Sequence, residues 1–423
     1  MLDAPEETPV SRQTVPQDYK RSLALLATLF FMWGFITVIN NTLLPHLRSV
    51  FDLDYTRTTL IESVWFIAYA LASMPSAFLI ERVGYKRAII IGLAIMAVGA
   101  LGMIPAARLP SYWITLLALF VVASGISLLQ VAANPFVAVI GPPESAERRL
   151  TLVQAFNSMG TFFAPYFGGV LILGRTFSGT MQEGGQISAE QRLLDAQATE
   201  LPYALVAITL LILAWVFSRA KLPEISGDGR RVDAAARKQL SLWNHRNLVL
   251  GIPAIFIYLI AEIGVANLFI NFASRPDIGN MSHADAANYL VLLWGGMMLG
   301  RFGGGFLMGR ISPERMLAGH AALAFLMALG ASVLHGPAAM WALIFIGLCH
   351  SIMFPTIFVL GIKGLGPLTE EASGLLITAI AGGALVVIQG WLADRFGLQP
   401  SFLLTAACEL YVLFYAVWGC KTK

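Results

Sequence analysis

Residues 112–140 read YWITLLALFVVASGISLLQVAANPFVAVI, without one charged side chain. A helix needs about 20 apolar residues to cross about 30 Å of hydrocarbon, and this block exceeds that length. Its apolar residues run all round the helix rather than along one stripe, so it has no face suited to water. Working outward toward the N-terminus and then along the chain, similar blocks lie near 22–47, 60–80, 87–105, 149–174 and 201–219. A polar stretch at 220–246 follows, carrying Gly227, Gly229, Arg230, Arg231, Arg237 and Lys238. Six more blocks come near 247–273, 285–308, 315–334, 338–363, 371–394 and 399–419. The pattern predicts an all-α membrane protein of twelve transmembrane helices.

Composition leads to the same class. Over 423 residues, 57% are hydrophobic and 13% charged, with mean hydropathy +0.71. A soluble domain carries about 25% charged residues, so this chain could not cover a water-exposed globule. The formal charge of +3 implies no nucleic-acid partner. Cys349, Cys408 and Cys420 lie in or at the ends of apolar blocks without metal-ligand spacing, and read as core-filling thiols. Residues 1–21 hold Asp3, Glu6, Glu7, Arg12, Asp18, Lys20 and Arg21 and lack the apolar core of a signal peptide. The expected division is a tail at 1–21, a six-helix bundle at 22–219, a linker at 220–246 and a second bundle at 247–423.

Loop charge sets the expected orientation. Arg12, Lys20, Arg21, Arg82, Lys86, Arg87, Arg148, Arg149, the linker bases, Arg310, Arg315, Lys363, Lys421 and Lys423 fall on one side. The opposite side holds the sparser Arg48, Arg57, Arg108, Arg175, Arg192, Arg275 and Arg395. The positive-inside rule then puts both termini in the cytoplasm, with the linker beside them.

The halves echo one another. The fourth block contains Ala133-Asn134-Pro135-Phe136-Val137, with Gly141 beyond it. The tenth contains Phe354-Pro355-Thr356-Ile357-Phe358, with Gly361 beyond it, and the two prolines are 220 positions apart. Repeated halves with a solute site between them are a transporter plan. After the second block, Leu79-Ile80-Glu81-Arg82-Val83-Gly84-Tyr85-Lys86-Arg87 sets an acid beside bases and a glycine turn. Gly390-Trp391-Leu392-Ala393-Asp394-Arg395-Phe396-Gly397 repeats that pattern on the opposite side. Glu81, Arg82, Asp394 and Arg395 are the candidate gating residues.

This loop signature resembles the major facilitator superfamily. More narrowly, the chain is similar to its fucose–galactose–glucose symporter branch, and most so to the bacterial glucose/galactose transporters. The matching stretches are Leu43-Leu44-Pro45-His46, Gln130 to Phe136, Gln154-Ala155-Phe156-Asn157-Ser158, Ala261-Glu262-Ile263-Gly264, Trp294-Gly295-Gly296, Gly300-Arg301-Phe302 and Ser351 to Phe358. Gly364 to Thr369 extends the set, which reaches from the first block to the eleventh. The resemblance implies two pseudo-symmetric six-helix bundles, the major facilitator fold. It also implies import of a hexose or related monosaccharide by alternating access in a bacterial inner membrane, coupled to a proton or sodium. The family's fucose members have acids where this chain has Asn41 and Gln130. Gln130 suits the glucose/galactose members, whereas Asn41 is a departure, and neither amide can titrate.

Sugar hydroxyls donate and accept hydrogen bonds, so their site needs amides, carboxylates and aromatic faces. Polar side chains in apolar helices are costly in lipid and are expected to face a cavity or another helix. Candidates are Asn40 and Asn41 in the first block, Gln130 and Asn134 in the fourth, and Gln154 and Asn157 in the fifth. Glu262, Asn267 and Asn271 come from the seventh. Gln130 with Asn134, and Asn267 with Asn271, are four apart and Gln154 with Asn157 three apart, so each pair shares a helix face. The bland alternative is that each ties helices together for about 0.6–2 kcal/mol.

Glu262 is the sharpest of these residues. A lone carboxylate at that depth would take up a proton or another cation, accept from a sugar, or pair with Arg301 on the eighth block. Glu62 is a second coupling candidate, although Thr59-Leu60-Ile61-Glu62 also has the form of a capping box. Glu409 reads as a helix–helix hydrogen bond. Trp33, Trp65, Tyr69 and Trp294 could stack on a sugar ring, or pack.

No Gly-x-Ser-x-Gly, His-Glu-x-x-His or phosphate-loop motif occurs, so the chain reads as no enzyme, with no cofactor and no metal. The expected partners are a monosaccharide and membrane lipid, with the protein a monomer. One alternative is an uncoupled sugar facilitator. Another is a proton-coupled efflux antiporter for drug-like compounds, since Gly160 to Gly169 resembles a helix-five signature of such proteins. A membrane sensor would need an output module, for which the linker and tails are too short.

Overall fold

The computed structural model describes residues 19–51, 55–109, 111–171, 197, 199–223 and 241–422, with side chains described outside 38–51, 55–63, 165–171 and 284. Most of the expected tail and linker, and the side chains of Asn40, Asn41 and Glu62, therefore lie outside the described residues.

Among the described residues, twelve helical segments follow the apolar blocks, eleven of them long and apolar enough to cross a membrane. The first six are α1 (Tyr19–Phe51), α2 (Tyr55–Val83), α3 (Tyr85–Arg108), α4 (Tyr112–Val139), α5 (Ala146–Leu171) and α6 (Glu200–Arg219). The second six are α7 (Arg246–Ala273), α8 (His283–Leu307), α9 (Pro313–Val333), α10 (Pro337–Ile362), α11 (Gly366–Phe396) and α12 (Leu398–Gly419). Helix α1 begins at Tyr19, three residues inside the segment expected as tail. A helix keeps its backbone hydrogen bonds internal, so it can run past the edge of the apolar stretch without cost.

Burial explains the patterning. Helix α4 is buried along nearly all of its length, from Thr115 to Ala138. Outer helices instead expose large apolar side chains, as α6 does with Leu205, Ile208, Leu211, Ile212 and Trp215. An apolar outer band is what lipid contact requires.

Two spans are broken, and the breaks have local causes. Helix α10 consists of Pro337–His350 and Met353–Ile362, separated at Ser351 and Ile352. Pro355 has no N–H to give the Ser351 carbonyl, so the ladder fails there. Helix α11 passes through a 3-10 segment, Ala379–Leu385, between Thr369–Thr378 and Val386–Phe396. The two glycine turns of the repeated loop pattern, Gly84 (φ 80°) and Gly397 (φ 97°), adopt the left-handed backbone that glycine accepts without penalty.

The two sets of six helices meet on the membrane side that carries the start of α1 and the end of α12, here the terminal side. There Tyr85 OH donates to Glu370 Oε1 at 2.8 Å. Phe156 on α5 packs edge-on against Phe302 on α8, with centroids 5.7 Å apart. A Cβ placed on Gly374 of α11 would lie 2.9 Å from Ala77 Cβ of α2, so these helices touch backbone to side chain. The halves are thus closed against each other on the terminal side.

Candidate functional site

The amides of α4 and α5 fall within the first half. Gln130 is 5% exposed, and its Nε2 donates to Tyr69 OH on α2 at 2.5 Å. One turn on, Asn134 is fully buried; its Oδ1 accepts from Gln154 Nε2 at 3.4 Å, and its Nδ2 has no hydrogen-bond partner among the described residues. Asn157 donates through Nδ2 to the Phe30 carbonyl of α1 at 3.0 Å and is half-buried. These four residues draw α1, α2, α4 and α5 together.

Arg301 carries the network into the second half. Its Nε donates to the Ser351 carbonyl at 3.0 Å, taking the place of the N–H that Pro355 lacks. Its Nη1 donates across the interface to Ser158 Oγ at 2.5 Å and to the Gln154 carbonyl at 3.4 Å. Glu262 is half-buried on α7, one turn after Tyr258 and within the field of Arg301. Tyr258 OH also reaches the His350 carbonyl at 3.1 Å. Hydrogen bonds therefore run from Asn134 through Gln154 to Arg301, crossing between the halves, and Tyr258 and Glu262 lie within the field of the guanidinium.

Other candidates sit elsewhere. Asn267 and Asn271 are exposed. At about 100° per residue they lie about 140° and 180° around α7 from Glu262, so helix geometry keeps them out of the network. They share a face with each other but not with the acid. Trp33 and Tyr69 are buried, while Trp65 and Trp294 are half-buried. Glu81, Arg82, Asp394 and Arg395 are exposed at the ends of α2 and α11.

Glu409 does form the helix–helix hydrogen bond expected of it, to His350 at 2.8 Å. Sequence reasoning passed over Tyr258 and His350, named Ser158 only within a matching stretch, and gave Arg301 only a pair with Glu262. The available signals were the position of Arg301 within an apolar block and the four-residue spacing of Tyr258 and Glu262.

A cavity of about 530 Å³ opens elsewhere, on the terminal side between the α4–α5 turn, the start of α9 and the end of α10. Glu314 and Lys363, paired at 3.4 Å, line it. Among the described residues, no cluster of His, Cys, Asp and Glu has the arrangement of a metal site.

Twelve spans in two sets, closed on one side around buried polar residues, have a counterpart among known sequences: residues 24–385 match the profile of the Major Facilitator Superfamily. The chain belongs to the major facilitator superfamily. This makes it a multi-pass membrane transporter and not an enzyme. The transporter is 43% identical over 420 residues to a Brucella abortus protein named glucose/galactose transporter, covering 99% of both chains. It is 32% identical over 417 residues to the L-fucose-proton symporter of Escherichia coli, covering 96% of this chain and 94% of that one. Its fold matches a crystal structure of the superfamily transporter FucP in the outward conformation. The TM-score is 0.85 at 31% identity, covering 96% of this chain and all of the other.

Proposed function

We propose that this transporter imports a hexose by alternating access, driven by a co-transported proton. The observation that carries the reading is the set of buried hydrogen bonds crossing between the halves, from Asn134, whose Nδ2 has no partner among the described residues, through Gln154 to Arg301, with Glu262 in the field of that guanidinium. Such groups are costly in an apolar interior unless they serve a solute or an ion. The names of the relatives, glucose/galactose transporters and a fucose-proton symporter, support sugar as the solute and a proton as the driver.

In this reading Gln130, Asn134, Gln154 and Asn157 hydrogen-bond the sugar, and Glu262 accepts from a sugar hydroxyl and takes part in coupling. Asn40, Asn41 and Glu62 would serve from the far halves of α1 and α2. Asn267 and Asn271 are left out of the binding set because of their position on α7. Residues 22–219 and 247–423 act as the moving halves, joined by 220–246. Both termini lie in the cytoplasm of a bacterial cell, so the terminal side is the inner side, and the protein works as a monomer. Glu81, Arg82, Asp394 and Arg395 help to gate.

Counterflow of labelled hexoses in proteoliposomes tests the substrate class. Exchange of glucose or galactose, without exchange of lipophilic cations, is the expected result. Exchange of the cations instead would establish the efflux alternative. Glu262→Gln should lose accumulation driven by a pH gradient. Full gradient-driven accumulation in that variant would remove Glu262 from coupling.

A further inference from the structure

The first half offers little that can titrate in its interior cluster, where Gln130, Asn134, Gln154 and Asn157 are all amides. The second half differs. His350 on α10 and Glu409 on α12 form a pair at 2.8 Å, with side chains 2% and 0% exposed. Glu409 Oε2 has no hydrogen-bond partner among the described residues. The repeat offset of 220, taken from Pro135 and Pro355, sets His350 at the position that Gln130 occupies in the first half. At corresponding places, one half has an amide and the other a titratable pair.

We propose that the His350–Glu409 pair is a proton-binding site of this transporter, loaded while the terminal side is closed and emptied when it opens. This rests on the reading of proton-coupled sugar import. A mere tie between α10 and α12 needs no charge, and an orphaned carboxylate oxygen makes the pair a costly one. With one proton shared between Nε2 and Oε1, the pair is neutral overall. Losing that proton leaves a single negative charge in a packed apolar site, which burial opposes and hydration favours. Only an N–H or O–H bond forms or breaks, and the proton is exchanged with water.

The pair is placed to feel the gate. His350 is the last residue of the first piece of α10, and its carbonyl accepts from Tyr258 OH. Its ring stands edge-on to Tyr258, with centroids 5.4 Å apart. The next residue, Ser351, offers the carbonyl that anchors Arg301, and Arg301 reaches across to Ser158 and Gln154. Loss of charge balance at His350 therefore bears on the break in α10 that holds the inter-half clamp.

Other titratable and charged groups face the pair from the elements packed around it. Helix α7 contributes Tyr258 and Glu262, and α8 contributes Arg301. The thiols of Cys349 and Cys408 lie in the field of Glu409. From α9, His320 turns its Nδ1 back to the Met316 carbonyl at 2.9 Å. Helix α11 contributes only the uncharged Gln389, bonded to Thr405 one turn before Glu409.

The test uses the full-length protein in proteoliposomes with labelled glucose and galactose. In the wild type, no hexose flux, or a flux indifferent to pH, would defeat the parent reading and this inference with it. With proton-driven uptake present, Glu409→Gln is expected to keep counterflow within about twofold. Its accumulation ratio should fall to unity, where a one-unit pH gradient coupled one to one supports about tenfold accumulation. The double variant His350→Gln/Glu409→Gln removes both charges and retains two hydrogen-bonding amides, so it decides the matter if the single variant does not fold. Wild-type accumulation with an unchanged pH profile in either folded variant would overturn the proposal. So would a parallel fall of counterflow and accumulation, the signature of a structural tie.

Discussion

Arg301 is the residue on which both halves depend. Its guanidinium fork serves a carbonyl orphaned by Pro355 and two acceptors on α5, a geometry that an ammonium cannot reproduce. Hydrogen bonds to charged groups contribute about 1.5–3 kcal/mol each, so losing even one shifts a two-state equilibrium by about tenfold or more. Arg301→Gln is therefore expected to depopulate the state closed on the terminal side and to cut hexose uptake by about tenfold or more. Arg301→Lys should recover only part of the loss. Uptake at the wild-type rate in Arg301→Gln would show that the clamp is not needed. The sequence marked Arg301 as unusual, since it stands inside an apolar block, but its partners Ser158 and Gln154 are more than 140 positions away. No spacing rule reaches that far.

At the scale of elements, close approach governs how α7, α11 and α12 fit together. A Cβ on Gly264 would collide with Gln389 Oε1, and Gln389 is fully buried with its Nε2 on Thr405 Oγ1. Only a residue without a side chain lets the amide enter between the three helices. Gly264→Ala is expected to destabilise the folded transporter by about 1–3 kcal/mol, the usual cost of overpacking. Gln389→Ala added to it should cancel part of that loss, a coupling that a double-mutant cycle on thermal unfolding in detergent would read. Strict additivity would mean that the two positions do not touch. The sequence pattern located α7 and α11 to within a few residues, because long apolar blocks between polar breaks have few alternatives. It did not reveal the break in α10 at Ser351 or the 3-10 segment of α11. A proline or glycine within a block is compatible with either a straight or a broken span, and neighbours decide which.

For the molecule as a whole, closure on the terminal side is the main finding that bears on transport. Helices α2 and α11 approach so closely at Ala77 and Gly374 that a small outward shift puts cysteines at both positions within disulfide reach, and they should join on mild oxidation. The native Cys349, Cys408 and Cys420 are buried, which limits competing reactions. Oxidation of Ala77→Cys/Gly374→Cys is expected to stop hexose uptake, and a reductant to restore it. Full uptake by quantitatively cross-linked protein would show that these helices need not separate during the cycle.

The amino-acid sequence alone determined the class, the helical blocks and the family resemblance, because hydrocarbon imposes a length and a polarity on every helix that crosses it. It also picked out Gln130, Asn134, Gln154, Asn157 and Glu262 as polar groups too costly to face lipid. Tertiary structure decided which of the candidates meet. Asn267 and Asn271 satisfied the same polarity argument as Glu262, yet they point to another side of α7. Tyr258 and His350, unremarkable in the sequence, stand between the acid and its surroundings. Polarity is a property of a residue and can be read locally, whereas convergence depends on how distant helices rotate and pack against one another.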